Sequence, residues 1–180
     1  MNTTASVLVV AVTLGLAACS STPVDTTLAT PAPCRADRFA SPFHELDPCQ
    51  AEAVLTAAVS TIFGYRPREH ADPRAAFRAA SALMDPRFAE RAEPAALVWS
   101  PITAEQFQRW QHEGVELATT VRITADDHPA ATATATAASR VLAVTVQPED
   151  QPGIEFAVYA HASRASDASA WLLTGMEVAA

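Results

Sequence analysis

The chain has 180 residues, 20 of them acidic and 12 basic, which gives a formal charge of -8. A hydrophobic fraction of 49% with 18% charged residues excludes a disordered chain. The acidic balance lacks the basic footprint of a nucleic-acid binder, so no nucleic acid is expected as a partner.

The first element is an uncharged apolar run, Val7 to Ala18. It is too short for a membrane-spanning helix, which needs about 20 residues, and it fits the h-region of a secretory signal. The run closes on Leu16-Ala17-Ala18-Cys19, followed by Ser20-Ser21. This ending resembles the lipobox of bacterial lipoproteins, in which a small residue precedes an invariant Cys. The resemblance implies cleavage between Ala18 and Cys19, lipidation of the Cys19 thiol, and residues 1–18 as a signal peptide. Met1 to Ser6 carries no Lys or Arg: either the terminal amine supplies the positive charge such signals begin with, or the true start lies upstream. Two or more acyl chains suffice for stable anchoring, so the membrane, met through this anchor, is the first expected partner. The expected location is the extracytoplasmic face of the cell membrane.

Ser20 to Pro33 is rich in Ser, Thr and Pro and has no apolar period, so it reads as a linker. It reaches at most about 50 Å when extended and averages roughly 20 Å as a coil. Residues 19–46 are therefore expected to form the lipidated Cys and its tether, and 47–180 the globular domain. Cys34 and Cys49 remain. In an exported protein paired cysteines normally oxidise. With Cys19 taken as lipidated, the count leaves one bridge, Cys34–Cys49, worth about 3 kcal/mol in the chain-entropy model. A redox or metal pair is disfavoured by the spacing, which has no CxxC and no neighbouring His pattern.

Asp-Pro occurs at 47–48, 72–73 and 85–86. Asp accepts from the orphan N–H groups of a first turn, and Pro costs nothing at the next position, so each pair predicts a helix start. Helix one is expected over Pro48–Phe63, with Gln50 completing a capping-box-like arrangement and Gly64 as the stop. Helix two is expected over Pro73–Met84, and a short third over Pro86–Ala92. Thr103 with Gln106 predicts a cap for a helix over Ala104–Glu113 that ends at Gly114, with Phe107 and Trp110 on its buried stripe.

Beyond Gly114 the apolar period drops to two. Val115–Ile123 alternates as a strand. Asp126-Asp127-His128-Pro129 predicts a turn, and Ala131–Ala137 a weak edge strand. Arg140–Gln147, the segment Ile154–His161, and Trp171–Val178 are the further strands. Helices first and then about four strands joined by short turns predict an α+β domain, with N-terminal helices packed on a curved antiparallel sheet.

This layout, over about residues 47–180, resembles the cone of the nuclear-transport-factor-2-like and cystatin-like group. The residues that carry the likeness are Trp99, the Trp110…Gly114 helix end, the acidic turn at 126–129, Arg140 opening RVLAVTV, Tyr159, and Trp171-Leu172-Leu173. More narrowly, it is similar to small exported proteins of actinobacteria that accompany conjugation, type IV secretion or lipid-import systems. That resemblance implies an accessory domain with an envelope-protein partner. The same group includes isomerases and dehydratases that use Asp and His in the mouth of the cone, and it implies a possible pocket formed by Tyr159, His161 and Trp110.

The residues weigh against catalysis. His161 needs a partner in reach to act as a base; Asp85 and His112 are the nearest chemical types, but a solvated or hydrogen-bonded histidine explains it as well. Asp126, Asp127 and His128 are consecutive and cannot close a metal shell alone. The Trp and Tyr residues suit a core as much as a pocket. There is no P-loop, GxSxG, HExxH or Gly-rich dinucleotide turn. No catalytic residue, metal or cofactor is therefore assigned. The expected function is a non-catalytic docking domain; a small apolar ligand held in the cone is the alternative, and an isomerase- or dehydratase-like enzyme the third reading.

Overall fold

The structure, a computed structural model, describes residues 34–125 and 132–179. The lipobox with Ala18 and Cys19, the linker to Pro33 and the acidic turn at 126–129 lie outside the described residues.

Helix α1 (Ala51–Ile62) carries Val54, Leu55, Ala58, Val59 and Ile62 on one buried face. It starts later than Asp47-Pro48 suggests. Asp47 accepts from the Cys49 N–H at 2.9 Å and from the Gln50 side-chain amide at 2.9 Å, so it closes a turn ahead of the helix and Gln50 bonds the carboxylate itself. The expected second helix is split into α2 (Arg74–Ala79) and a 3-10 turn, Ser81–Leu83. Helix α3 (Pro86–Ala92) falls where the third Asp-Pro places it: Asp85 accepts from the N–H groups of Arg87 and Phe88. A 3-10 turn, Glu93–Ala95, then leads into α4 (Ala96–Trp99), a single turn between Pro94 and Pro101. Helix α5 (Ala104–Glu113) is capped by the Thr103 hydroxyl, which accepts from Gln106 N–H, and ends at Gly114 with φ 67°.

The strands are β1 (Leu117–Ile123), β2 (Thr132–Ala133), β3 (Ala137–Pro148), β4 (Ile154–Ser163) and β5 (Leu172–Ala179). Their order is β1-β3-β4-β5, all antiparallel, with the two-residue β2 beside the start of β3. The expected α+β arrangement of helices and a curved, open antiparallel sheet of four main strands is thus present. Register sets the two faces. Val121 pairs with Val144, Val144 with Phe156, and Val158 with Val178. These side chains, with Leu142, Val146, Ala160 and Met176, form the face against the helices. A slip between His161 and Ala162 shifts the pairing of β5.

Between sheet and helices, Trp110, Phe63, Phe107, Leu55, Leu83, Leu142 and Leu173 are each under 2% exposed. Phe63 meets Phe156 edge-on at 4.8 Å. Upstream of α1, Phe39, Phe43 and Leu46 pack partly buried against this core. The described part of the segment expected as tether, from residue 34 to 46, therefore lies on the domain, because those three apolar side chains are covered there.

Candidate functional site

The three residues expected to share a pocket do not meet. Trp110 lies 1% exposed in the core on α5, and its indole N–H donates to Gln151 Oε1 at 3.1 Å. Tyr159 and His161 alternate on β4 with the buried Phe156, Val158, Ala160 and Ala162, so they lie on the opposite face of the sheet, turned away from the helices. Trp110 is on the helix side. The joint pocket is corrected on this point: a two-residue strand period puts position 159 and 161 outside whenever 156 and 158 are inside.

His161 is exposed, and its Nδ1 hydrogen-bonds Ser139 Oγ at 2.7 Å. Its ring packs over Gly175. Asp85, one of its possible partners from the sequence, spends a carboxylate oxygen on capping α3. Among the described residues no group of three His, Cys, Asp or Glu side chains converges as a metal site. No helix among them is long and apolar enough to cross a membrane.

The outer face is built of small side chains at its centre. One row across the sheet is Arg122, Ala143, Ala157 and Ala179, and the next is Val141, Tyr159 and Glu177. Val141, Ala143, Ala157 and Tyr159 are half-buried by their neighbours alone.

A cleft of about 450 Å³ opens beside the C-terminal end of α1 and is lined by Ser60, Thr61, Tyr65, Arg66, His70 and Thr119, with Phe43 and Leu117 among its apolar walls. Its floor turns at Gly64, where a Cβ would stand 2.8 Å from the Ser60 carbonyl oxygen, so only glycine lets the chain fold back so closely on the helix. The loop that follows is held by His70. Its Nδ1 accepts from the Arg66 backbone N–H at 3.2 Å, and its carbonyl accepts from the Gln111 side chain at 2.9 Å. Burial, aided by the Arg66 charge, pulls the His70 pKa below the ordinary histidine value. Tyr65 is buried, which raises its pKa to about 12 against the opposing hydrogen bond to Ser100. No motif in the sequence marks this cleft: His70 lies in a polar loop segment, Tyr65 is one of the aromatics that suit a core as much as a pocket, and the local signal is the Gly64 stop followed by the charged turn Arg66–His70.

Cys34 and Cys49 are joined as the sequence predicts, with Cα atoms 5.7 Å apart. The bridge ties the chain entering the domain to the start of α1. Nearby, the Arg164 guanidinium lies 4.8 Å over the Trp171 ring, and Trp171 N–H donates to the Pro48 carbonyl at 2.9 Å. The entry point of the domain is thus fastened to α1 and to the start of β5.

No protein-family model matches the chain, and no match was found among curated proteins or solved structures.

Proposed function

We propose that this chain is a lipid-anchored cell-envelope protein whose domain is a non-catalytic docking module of a membrane-associated secretion or transport assembly. On this reading Cys19 carries the anchor, the linker that follows it lets the domain reach its partner, and the sheet is the wall of a nuclear-transport-factor-2-like or cystatin-like cone. The observation that carries the proposal is the filled interior. A ligand site or an acid–base pair in such a cone needs an opening under the sheet. Here that space is taken by Trp110, Phe63, Phe107, Leu142 and Val144, each at most 1% exposed. The outer face, with Ala143 and Ala157 at its centre, is the complementary support: small side chains let a partner's backbone or aromatic side chains approach closely.

A photo-crosslinking residue at Ala143 or Ala157, in the full chain expressed in cells, tests the docking role. A discrete adduct with one envelope protein from these positions, absent from the exposed Gln108 on α5, is the expected result. Smears or no adduct from either face position would refute it. Labelled-palmitate incorporation that disappears in Cys19→Ala tests the anchor.

The cleft beside α1 favours a second reading, a small-ligand-binding role. Its mixture of hydroxyl groups, His70 and apolar wall suits an amphipathic molecule rather than a purely apolar one. Such a ligand would raise the melting temperature of the wild-type protein and leave Ser60→Trp, which fills the cleft, unchanged.

A further inference from the structure

We infer that the turn carrying Leu97 and Val98 is a second membrane contact, which seats the domain on the anionic lipid surface to which the proposed anchor tethers it; this rests on the lipid-anchored reading above. Leu97 and Val98 are 44% and 83% exposed, and they are the large hydrophobic side chains left exposed among the described residues. Isolated exposed aliphatics are ordinary, but these two are adjacent and lie at the tip of the one-turn α4. They also lie in a stretch with no charged residue between Glu93 and Glu105. Lowering that stretch into the headgroup region therefore strips water from no ion, whereas most of this acidic chain would pay a large desolvation cost.

The tip is held rigidly. Trp99 stacks on Phe88 at 6.4 Å with 16° between the rings and also meets Phe77 at 6.4 Å. Pro94 and Pro101 flank the turn. The two exposed side chains are thus presented on a fixed support rather than on a free loop.

Charge points to an anionic lipid surface as the occupant. Between residues 66 and 91 there are six Arg against four acidic residues, in a chain whose total charge is -8. On α3, which leads into the tip, Arg87 and Arg91 are exposed and one helical turn apart, and neither forms an ion pair with a described residue. Glu93, the acidic residue closest to the tip, is engaged by Arg78 at 2.7 Å. Each Arg near an anionic surface favours the seated state by roughly fivefold, so the pair, set against the single exposed carboxylate of Glu90 between them, offsets part of the repulsion that an acidic domain otherwise meets. Fourteen residues, Ser20 to Pro33, separate the proposed anchor at Cys19 from the first described residue of the domain.

The test uses the full chain, processed in a lipoprotein-maturing bacterium and reconstituted in phosphatidylcholine vesicles with and without phosphatidylglycerol. A nitroxide is placed at Val98→Cys, or at Ala118→Cys on the outer face as control. Expected is loss of collisions with a water-soluble nickel complex at 98 and not at 118, stronger with phosphatidylglycerol. Arg87→Gln/Arg91→Gln should lower the seated-to-free ratio about 25-fold on the anionic vesicles. If the protein sediments with vesicles while the label at 98 stays as accessible as that at 118, the tip contact is overturned and the anchor stands. If the protein does not sediment, the anchor fails and the inference falls with it. A label free on pure lipid but shielded in native membranes identifies a protein occupant and also overturns the lipid contact.

Discussion

The Tyr65 hydroxyl donates to Ser100 Oγ at 3.1 Å and so joins the chain leaving α1 to the turn between α4 and α5. Ser100 Oγ in turn donates to the Ile102 carbonyl at 3.0 Å and accepts from the Ile102 N–H at 3.3 Å. One hydroxyl pair therefore links the base of the cleft to the segment that carries Leu97 and Val98.

Tyr65→Phe keeps the ring in place and removes that link. The expected cost is about 1 kcal/mol, the usual net value of one such bond, read from urea denaturation at neutral pH. The same residue sets an alkaline limit. Its pKa rises from 10.0 to about 12 in the fold, so between these values the folded chain retains a proton that the unfolded chain has lost. The Tyr65 contribution is complete below pH 10 and is lost as pH rises through about 12. Tyr65→Phe should lack this part of the alkaline slope.

His70 predicts the opposite trend on the acid side. Its pKa is lowered from 6.5, so the unfolded chain binds the proton first, and stability declines as pH falls below about 6.5. Burial is the main cause, aided by the Arg66 charge, and the geometry acts in the same direction: Nδ1 accepts from the Arg66 N–H, and a protonated Nδ1 has no lone pair to accept with. His70→Gln should remove the dependence between pH 6.5 and the onset of carboxylate titration. An unchanged profile in that variant would assign the slope to other groups.

The Cys34–Cys49 bridge spans 15 positions, and loss of such a closed loop costs about 3 kcal/mol. Cys34→Ala/Cys49→Ala should unfold at correspondingly lower urea, and the wild type should match it after reduction. The loss should be concentrated at the entry of the domain. Backbone amides upstream of α1 and at Trp171, whose N–H is bound to Pro48, should exchange faster than those of β3 and β4.

Chain punctuation was the most legible part of this sequence. Asp85, Thr103 and Gly114 act within a few residues of themselves, through backbone groups whose geometry is local, and each lies at a helix end in the structure. Period two likewise gave the inside and outside of β3 and β4. What failed needed distance. The break at Ala80 between α2 and the following 3-10 turn has no Gly or Pro to announce it; an alanine-rich stretch is as good a helix inside as at its end. Helix α4 is one turn long, too short for any period to appear. The supposed pocket of Trp110, Tyr159 and His161 failed for a sharper reason. The helix stripe already put Trp110 inward, and the strand period already put Tyr159 and His161 opposite Phe156 and Val158. Only the side of the sheet that the helices cover was missing, and that depends on tertiary packing. The cleft beside His70 depends on a loop meeting a strand edge, which no local pattern encodes.

Gly114 allows a test in which backbone conformation and side-chain crowding separate. It closes α5 with φ 67° and ψ 31°, and its N–H returns to the Trp110 carbonyl. An L-residue pays about 1 kcal/mol to occupy this region, and Asn pays less than Ala. A Cβ at this position would come within 3.0 Å of Arg68 Nη2, which donates to the Gly114 carbonyl at 2.6 Å. That guanidinium is the far end of an exposed side chain and moves aside cheaply. Conformation should therefore dominate. Gly114→Ala is expected to lose about 1 to 2 kcal/mol and Gly114→Asn roughly half as much. Gly114→Ala in an Arg68→Ala background should lose nearly the same as in the wild type. A large rescue by Arg68→Ala would show that the Arg68 contact, rather than the left-handed turn, is what reserves this position for glycine.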